Sequence, residues 1–236
     1  MKKIVKLLKT PGPWDSLLQE YFSEVDAEIS MGKDSVIQNA DLIFIEPAFC
    51  QSIAIQKIRV SKSLNVGTRV FCFGEAPQDC ASLFDHVFGQ PCDLLEFTKK
   101  ISDRIQLPDS LRVLIADDDA DILSMVCDYF SGRNSPAYEI LRAPNGREAF
   151  ELIQKKRPDA MILDVKMPLM SGSELYCKLQ KQSIKIPTII FYDAISAGDL
   201  NDIKKAGKPS IVEKGYRESS LAYLMATIKK LVYFSS

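Results

Sequence analysis

The sequence predicts an α/β protein with two doubly wound parallel-sheet domains in tandem. Short, continuously apolar segments alternate with longer segments whose apolar residues recur at helical spacing. A buried parallel strand has this continuous apolar character because helices cover both faces of its sheet. The alternation occurs five times in residues 110–236 and repeats more weakly in residues 1–106. We therefore expect two units of five βα repeats each, joined near Pro108, which stops a helix.

The second half has the clearer elements. Its five predicted strands are Arg112–Ala116, Tyr138–Leu141, Ala160–Leu163, Thr188–Tyr192 and Ile211–Val212. The predicted helices that follow them are Ile122–Phe130, Arg147–Lys156, Glu174–Gln182, Leu200–Lys205 and Ser219–Tyr233. Strands that alternate with helices in this way are typical of βαβ units and a parallel sheet.

The first half repeats the rhythm with fewer helices. Its predicted strands are Ile4–Leu8, Ala27–Ser30, Asp41–Ile45, Arg69–Phe73 and, more weakly, His86–Phe88. Its predicted helices are Trp14–Phe22, Ile53–Leu64 and Asp93–Ile105.

The two halves align at a nearly constant offset, which predicts a duplicated unit. Asp41–Glu46 aligns with Asp159–Asp164 at an offset of 118 residues, Thr68–Glu75 with Pro187–Ala194 at 119, and Gln90 with Lys214 at 124.

Composition excludes several classes of protein. The 236 residues include 30 basic and 31 acidic ones, for a net charge of -1, so a surface that coats nucleic acid or acidic membrane is not expected. No apolar run approaches the ~18 residues that cross a bilayer. One histidine, His86, excludes multi-histidine metal sites, and six cysteines without zinc-knuckle spacing indicate free thiols in a reducing cytoplasm.

Acidic residues follow two strands of the second half, and a lysine follows a third. Asp117 and Asp118 end the first strand, Asp164 ends the third, and Lys214 follows the fifth. Carboxyl ends of parallel strands meet at one sheet edge, so we expect one pocket with Asp164 open to solvent. Crowded carboxylates require a cation, and an oxygen-only site suits Mg²⁺ (or Mn²⁺).

This arrangement is also suited to phosphoryl chemistry. A carboxylate beside a divalent cation is a nucleophile toward phosphorus and gives an aspartyl phosphate, whose charge Lys214 would stabilise. Acids after strands also serve as helix caps, and Asp119 and Asp121 are interpreted in that way.

The segments VLIADDDADI and MILDVKMPLMSG, with Lys214 after Ile211–Glu213, resemble the receiver domain of two-component response regulators over residues 110–236. The resemblance implies a flavodoxin-like (βα)5 fold. It also implies a phosphorelay in which Asp164 accepts phosphate from a histidine kinase or histidine phosphotransfer protein, and Lys214 pairs with the phosphoryl group. The implied Mg²⁺ ligands are Asp117, Asp118, Asp164 and the backbone carbonyl of Lys166.

The sequence departs from that family in two places. Tyr192 and Asp193 stand where receivers have Thr or Ser and then a small residue, and Gly215-Tyr216 stands where they have Pro-Phe. In the family, the Thr or Ser hydroxyl donates a hydrogen bond to the phosphoryl oxygen, and a hydrogen bond to a charged group contributes roughly 1.5–3 kcal/mol. Loss of this bond weakens the coupling between phosphorylation and the surface by about one to two orders of magnitude, at ~1.4 kcal/mol per tenfold. We expect the metal and acceptor parts with an altered switch.

The first half resembles a degenerate receiver, a pseudo-receiver. Glu46 occupies the acceptor position, Gln90 the lysine position and Phe73 the hydroxyl position, and no acid pair follows the first strand. Glu46 is interpreted as a lone, solvated glutamate. We expect this unit to serve binding or dimerisation without chemistry of its own.

Three functions remain open from the sequence. The first is a response regulator without an enzymatic activity beyond self-dephosphorylation, which is expected to signal through a downstream partner or a homodimer. The second is an interaction scaffold that is never phosphorylated. The third is a phosphatase or phosphotransferase with an aspartyl intermediate, although the DxDx[TV] motif of haloacid-dehalogenase-type enzymes is absent.

Overall fold

The chain forms two compact units, one of residues 1–106 with 233–236 and one of residues 107–232. The computed structural model describes residues 2–32, 37, 39–133, 136–215 and 218–235. Every strand and helix predicted above is present, with ends that differ by a few residues. The predicted fold class, two flavodoxin-like parallel sheets flanked by helices, is confirmed.

The N-terminal unit contains a five-stranded parallel sheet in the order β2-β1-β3-β4-β5. Its strands are β1 (Lys3–Leu8), β2 (Ala27–Met31), β3 (Leu42–Ile45), β4 (Arg69–Phe73) and β5 (His86–Phe88). Its helices are α1 (Asp15–Phe22), α2 (Ser52–Leu64) and α3 (Leu94–Ser102).

The C-terminal unit contains a second parallel sheet, in the order β10-β9-β8-β6-β7. Its strands are β6 (Ser110–Ala116), β7 (Ala137–Ala143), β8 (Ala160–Asp164), β9 (Thr188–Tyr192) and β10 (Ser210–Glu213). The helices are α4 (Ala120–Ser131), α5 (Gly146–Lys156), α6 (Gly172–Lys181), α7 (Ala197–Ala206) and α8 (Glu218–Ser235).

Both sheets have the strand order 2-1-3-4-5 when strands are numbered within each unit, and this order creates a crevice at the carboxyl ends of the first and third strands. The same pair of hydrogen bonds occurs within each unit, at the amino ends of its first and third strands. The Ile4 amide donates to Asp41 Oδ2 at 2.8 Å, and the Asp41 amide donates to the Ile4 carbonyl at 2.9 Å. Arg112 and Asp159 repeat this exchange at 2.7 and 2.8 Å, as a duplicated unit requires.

The two cores differ in composition. In the N-terminal unit Phe44 stacks on Phe71 and Phe73 with ring centroids 5.1 and 5.5 Å apart. The C-terminal core is aliphatic for the most part, with Leu114, Leu163 and Ile190 fully buried. Continuous burial along the central strands explains their continuously apolar sequences.

Side-chain caps set several helix ends. Asp93 accepts from the Glu96 amide, so the helix predicted from residue 93 begins at Leu94. Ser171 and Glu174 form a reciprocal capping box that starts α6. Among the described residues, no helix has the length and apolar character needed to cross a membrane.

Candidate functional site

The four side chains singled out in the second half lie together at the carboxyl edge of its sheet. Asp117 follows β6 and is buried, Asp118 is exposed, and Asp164 is the last residue of β8. Lys214 follows β10 directly. The parallel arrangement brings these strand ends to one edge although 97 residues separate Asp117 from Lys214.

Lys214 bridges two of the carboxylates. Its Nζ lies 2.8 Å from Asp117 Oδ2 and 2.7 Å from Asp164 Oδ1, and all three side chains are at most 7% exposed. Asp164 is therefore covered, whereas the sequence predicted an acceptor open to solvent. The physical reason is that the Lys214 side chain lies over the acceptor and pairs with it.

Burial and charge act in opposite directions on this cluster. Burial raises the pKa of Asp117 and of Asp164 above their ordinary values, although hydrogen bonds from Lys214 oppose the shift. Burial acts to lower the pKa of Lys214, but the two carboxylates outweigh it and the lysine pKa is raised. Together with Asp118, these residues place three carboxylates beside a single ammonium.

The donor set fits a hard divalent cation. One carboxylate oxygen from each of Asp117, Asp118 and Asp164 lies within 4.8 Å of the others. The Lys166 amide donates to Asp164 Oδ2 at 2.8 Å and the Asp119 amide donates to Asp117 Oδ1 at 3.0 Å, which orients both carboxylates. An all-oxygen cluster with surplus negative charge is the kind of site that Mg²⁺ occupies in proteins.

The capping interpretation applies to Asp119. Its Oδ1 accepts from the amides of Asp121 and Ile122 at 2.9 and 3.3 Å, and the carboxylate caps α4. Asp121 lies in the first turn of the same helix, where a negative charge suits the helix dipole.

The altered switch positions lie at the end of β9. Tyr192 is half-buried and packs against the aliphatic core. Asp193 is exposed, and its Oδ2 lies 3.6 Å from Lys214 Nζ. Sequence reasoning missed this ion pair, although an acid that directly follows a strand between β8 and β10 was a usable signal. Tyr216 lies outside the described residues.

The sheet registers correct one assignment in the first half. Met161 pairs with Thr188, and Ile43 pairs with Val70. Ile43 is the counterpart of Met161 at an offset of 118, so their strand partners Val70 and Thr188 are counterparts at 118 as well. The predicted offset of 119 between β4 and β9 was therefore wrong. Gly74, which follows Phe73, is therefore the counterpart of Tyr192.

The same registers retain the other two counterparts. Phe71 pairs with His86 and Ile189 pairs with Ser210, which gives an offset of 124 and aligns Gln90 with Lys214. Glu46 follows β3 as expected, but it is not a lone side chain. Its Oε2 accepts from the amide and the hydroxyl of Thr10 at 3.0 and 2.9 Å, because the carboxyl ends of β1 and β3 are neighbours.

Other contacts fill this edge of the N-terminal unit. Lys9 is buried at the end of β1, and its Nζ lies 2.6 Å from Asp15 Oδ1. The Trp14 ring stacks on Phe73 with centroids 4.3 Å apart. Apart from the three aspartates above, no three acidic, cysteine or histidine side chains of the described residues approach closely enough to hold a metal ion.

Comparison with known proteins matches the second half to a family. The model of the response regulator receiver domain matches residues 113–226. The transcriptional regulatory protein PrrA of Mycobacterium bovis is 30% identical over 123 residues, which are 52% of this chain and 50% of that protein. The protein-glutamate methylesterase/protein-glutamine glutaminase of Treponema denticola is 30% identical over 52% of this chain and 34% of its own length.

Solved structures match about half of the chain. The Francisella response regulator 1452 receiver domain is 26% identical and aligns with a TM-score of 0.47 over 53% of this chain and 99% of its own. The chemotaxis protein CheY4 of Vibrio cholerae is 29% identical, with a TM-score of 0.44 over 49% of this chain and 96% of its own. The chain spans half the length or less of the two curated relatives named above. The match to the response regulator receiver domain lies wholly within the C-terminal unit, residues 107–232.

Proposed function

We propose that the chain is a two-component response regulator that accepts a phosphoryl group on Asp164. The observation that carries this proposal is the bridge from Lys214 to Asp117 and Asp164 at 2.8 and 2.7 Å. It brings the nucleophile Asp164, the buried acid Asp117 and the ammonium of Lys214 together at the crevice where doubly wound sheets bind ligands. The receiver-domain match of the C-terminal unit supports the same function.

The residues divide the reaction among them. A carboxylate oxygen of Asp164 attacks the phosphorus of the donor and forms a new O–P bond. The bond from phosphorus to the donor's nitrogen or acyl oxygen breaks, and its electron pair stays on that leaving atom. The Lys166 amide holds the second oxygen of Asp164 during this exchange. The Lys214 ammonium, which pairs with the free carboxylate, pairs with the phosphoryl oxygens after transfer and so stabilises the product.

The acidic pair has a separate role. Asp117, Asp118, Asp164 and the backbone carbonyl of Lys166 would hold Mg²⁺ (or Mn²⁺), which neutralises the carboxylates and the charge on the transferring group when bound. Asp117 is buried and oriented by the Asp119 amide, so its position is fixed before a cation arrives.

The N-terminal unit is proposed as a pseudo-receiver, residues 1–106, ahead of a receiver of residues 110–236. The two compact units support this division except at residues 233–236, which belong to the N-terminal unit. The Lys9–Asp15 pair and the bond from Thr10 to Glu46 fill its edge, which supports a unit without phosphoryl chemistry. We propose that the protein is cytoplasmic, has no catalytic activity beyond self-dephosphorylation, and signals through protein partners rather than nucleic acid or membrane. The donor would be a histidine kinase or a histidine phosphotransfer protein.

A scaffold that is never phosphorylated is the second candidate. The observation that favours it is the end of β9, where Tyr192 packs against the core and Asp193 adds a negative charge beside the site. In this alternative the aspartates bind Mg²⁺ only to stabilise the fold.

Incubation with acetyl phosphate and Mg²⁺, followed by Phos-tag electrophoresis, separates the two candidates. We expect a shifted band for the wild type, loss of the shift in D164N, and loss in the wild type when EDTA removes the metal. D164N is the matched control because asparagine keeps the size of the side chain and removes the nucleophile. An unshifted wild-type band, together with Mg²⁺-dependent stability that D118N removes, would support the scaffold instead.

A further inference from the structure

Lys214 has a third carboxylate partner that the phosphoryl-acceptor mechanism does not use. Asp193 Oδ2 lies 3.6 Å from Lys214 Nζ, and the Asp193 side chain is 60% exposed. Asp117 and Asp164, by contrast, are almost completely buried. Asp193 is therefore the partner of Lys214 that an approaching molecule meets from solvent.

The backbone holds this third partner in place. Asp193 directly follows β9, which lies between β8, the strand of Asp164, and β10, the strand that precedes Lys214. The Lys214 amide donates to the carbonyl of Tyr192 at 2.7 Å, which ties the backbone of the lysine to the residue before Asp193. The backbone of Asp193 is consequently held beside that of Lys214, whose ammonium the phosphoryl group must reach.

A fixed negative charge at this position acts against an anionic donor in two ways. It repels the phosphoryl oxygens as they approach Asp164, and it competes with them for the ammonium of Lys214. Two unit charges roughly 5 Å apart in water interact by a free energy that corresponds to about a fourfold change in rate.

We propose that Asp193 is a specificity-determining residue that slows phosphoryl transfer to Asp164 from small anionic donors. This inference rests on the proposed function, because it concerns the rate of the same reaction. A carboxylate here favours a protein donor whose surface brings compensating positive charge over a free phosphate compound, and so keeps unspecific phosphorylation low.

Single-turnover rates with acetyl phosphate test the proposal on the full chain in Mg²⁺. We expect D193N and D193A to react about fourfold faster than wild type, and D193E, which keeps the charge, to match wild type. The gain should shrink at high salt, where exposed charges are screened, and should be smaller with phosphoramidate, which carries less negative charge. D128N is the matched control, since Asp128 is an exposed acid on α4 and its neutralisation should leave the rate unchanged.

The outcomes separate this inference from the function on which it rests. Phosphorylation of the wild type with equal rates in D193N and D193E, or a slower rate in D193N, would overturn the role of Asp193 and leave the proposed function intact. No modification of any variant would remove both, and circular dichroism of each variant confirms that the fold is present.

Discussion

At the scale of single residues, the charge balance of the C-terminal site depends on Lys214. Its ammonium lies against two buried carboxylates, those of Asp117 and Asp164. Removal of one partner from a buried ion pair costs about 3–5 kcal/mol, because the other charge stays buried without compensation. We expect K214M to lower the free energy of unfolding by about 3 kcal/mol at neutral pH in EDTA, as measured by urea denaturation.

The loss in K214M should depend on pH. Burial raises the pKa of Asp117 and Asp164 above the ordinary value of 3.8. Their contribution to the free energy of unfolding is therefore fully present below pH 3.8 and is lost as the pH rises through the raised pKa. Without the ammonium the decline becomes steeper, and K214M should approach wild type in acid. K166M is the matched control, because the exposed Lys166 side chain has no such partners and its removal should cost less than about 0.5 kcal/mol. Equal losses in the two variants would contradict this account of Lys214.

At the scale of elements, the turn from β8 into α6 requires a glycine. A Cβ at Gly172 would lie 2.0 Å from the Asp164 carbonyl oxygen and 3.2 Å from the Leu163 Cβ. Either the helix or the acceptor strand must then move. We expect G172A to destabilise the C-terminal unit by about 2 kcal/mol and to slow phosphorylation of Asp164, as measured by denaturation and by Phos-tag electrophoresis.

Gly198 in α7 provides the matched control. A Cβ there would meet only Ser196 Oγ at an ordinary 3.7 Å, and alanine has a higher helix propensity than glycine. G198A should therefore keep or raise stability and keep phosphorylation. Wild-type behaviour of G172A in both measurements would be incompatible with the observed packing of the acceptor strand.

The positions of the strands and of the acidic site could be predicted from the sequence, because each central strand is a continuous apolar run and its end is marked by Asp117 or Asp164. The register of β4 could not be predicted in the same way. Four consecutive residues of β4, Val70–Phe73, are apolar, so a shift of the alignment by one residue still places apolar residues opposite apolar residues. Only the pairing of Ile43 with Val70 identifies Gly74 as the counterpart of Tyr192.

Contacts between strand ends also escaped sequence reasoning. Glu46 bonds to Thr10 across 36 residues, and Asp193 pairs with Lys214 across the sheet edge. Both are acids that directly follow a strand, but a sequence does not say which neighbouring strand end each one faces. Strand order and register, which are properties of the folded sheet, decide those partners.

At the scale of the whole molecule, one fold occurs twice with different edges. Both sheets have the order 2-1-3-4-5, yet one edge holds three aspartates and a lysine whereas the other holds the Lys9–Asp15 pair and the Trp14–Phe73 stack. At the N-terminal edge the Lys9 ammonium already neutralises Asp15, so no crowded carboxylates in the part of that edge that the structure describes require a metal ion. We therefore expect phosphoryl chemistry in the C-terminal unit alone and an unmodified Glu46.

Mapping of the modified residue tests this claim most directly. The full chain is treated with a phosphodonor and Mg²⁺, the acyl phosphate is reduced with borohydride, and tandem mass spectrometry of peptides locates the resulting alcohol. We expect homoserine at position 164 and an unchanged glutamate at position 46, with no alcohol at either position in D164N or without Mg²⁺. Reduction products at position 46, or at another acid while Asp164 remains intact, would contradict it.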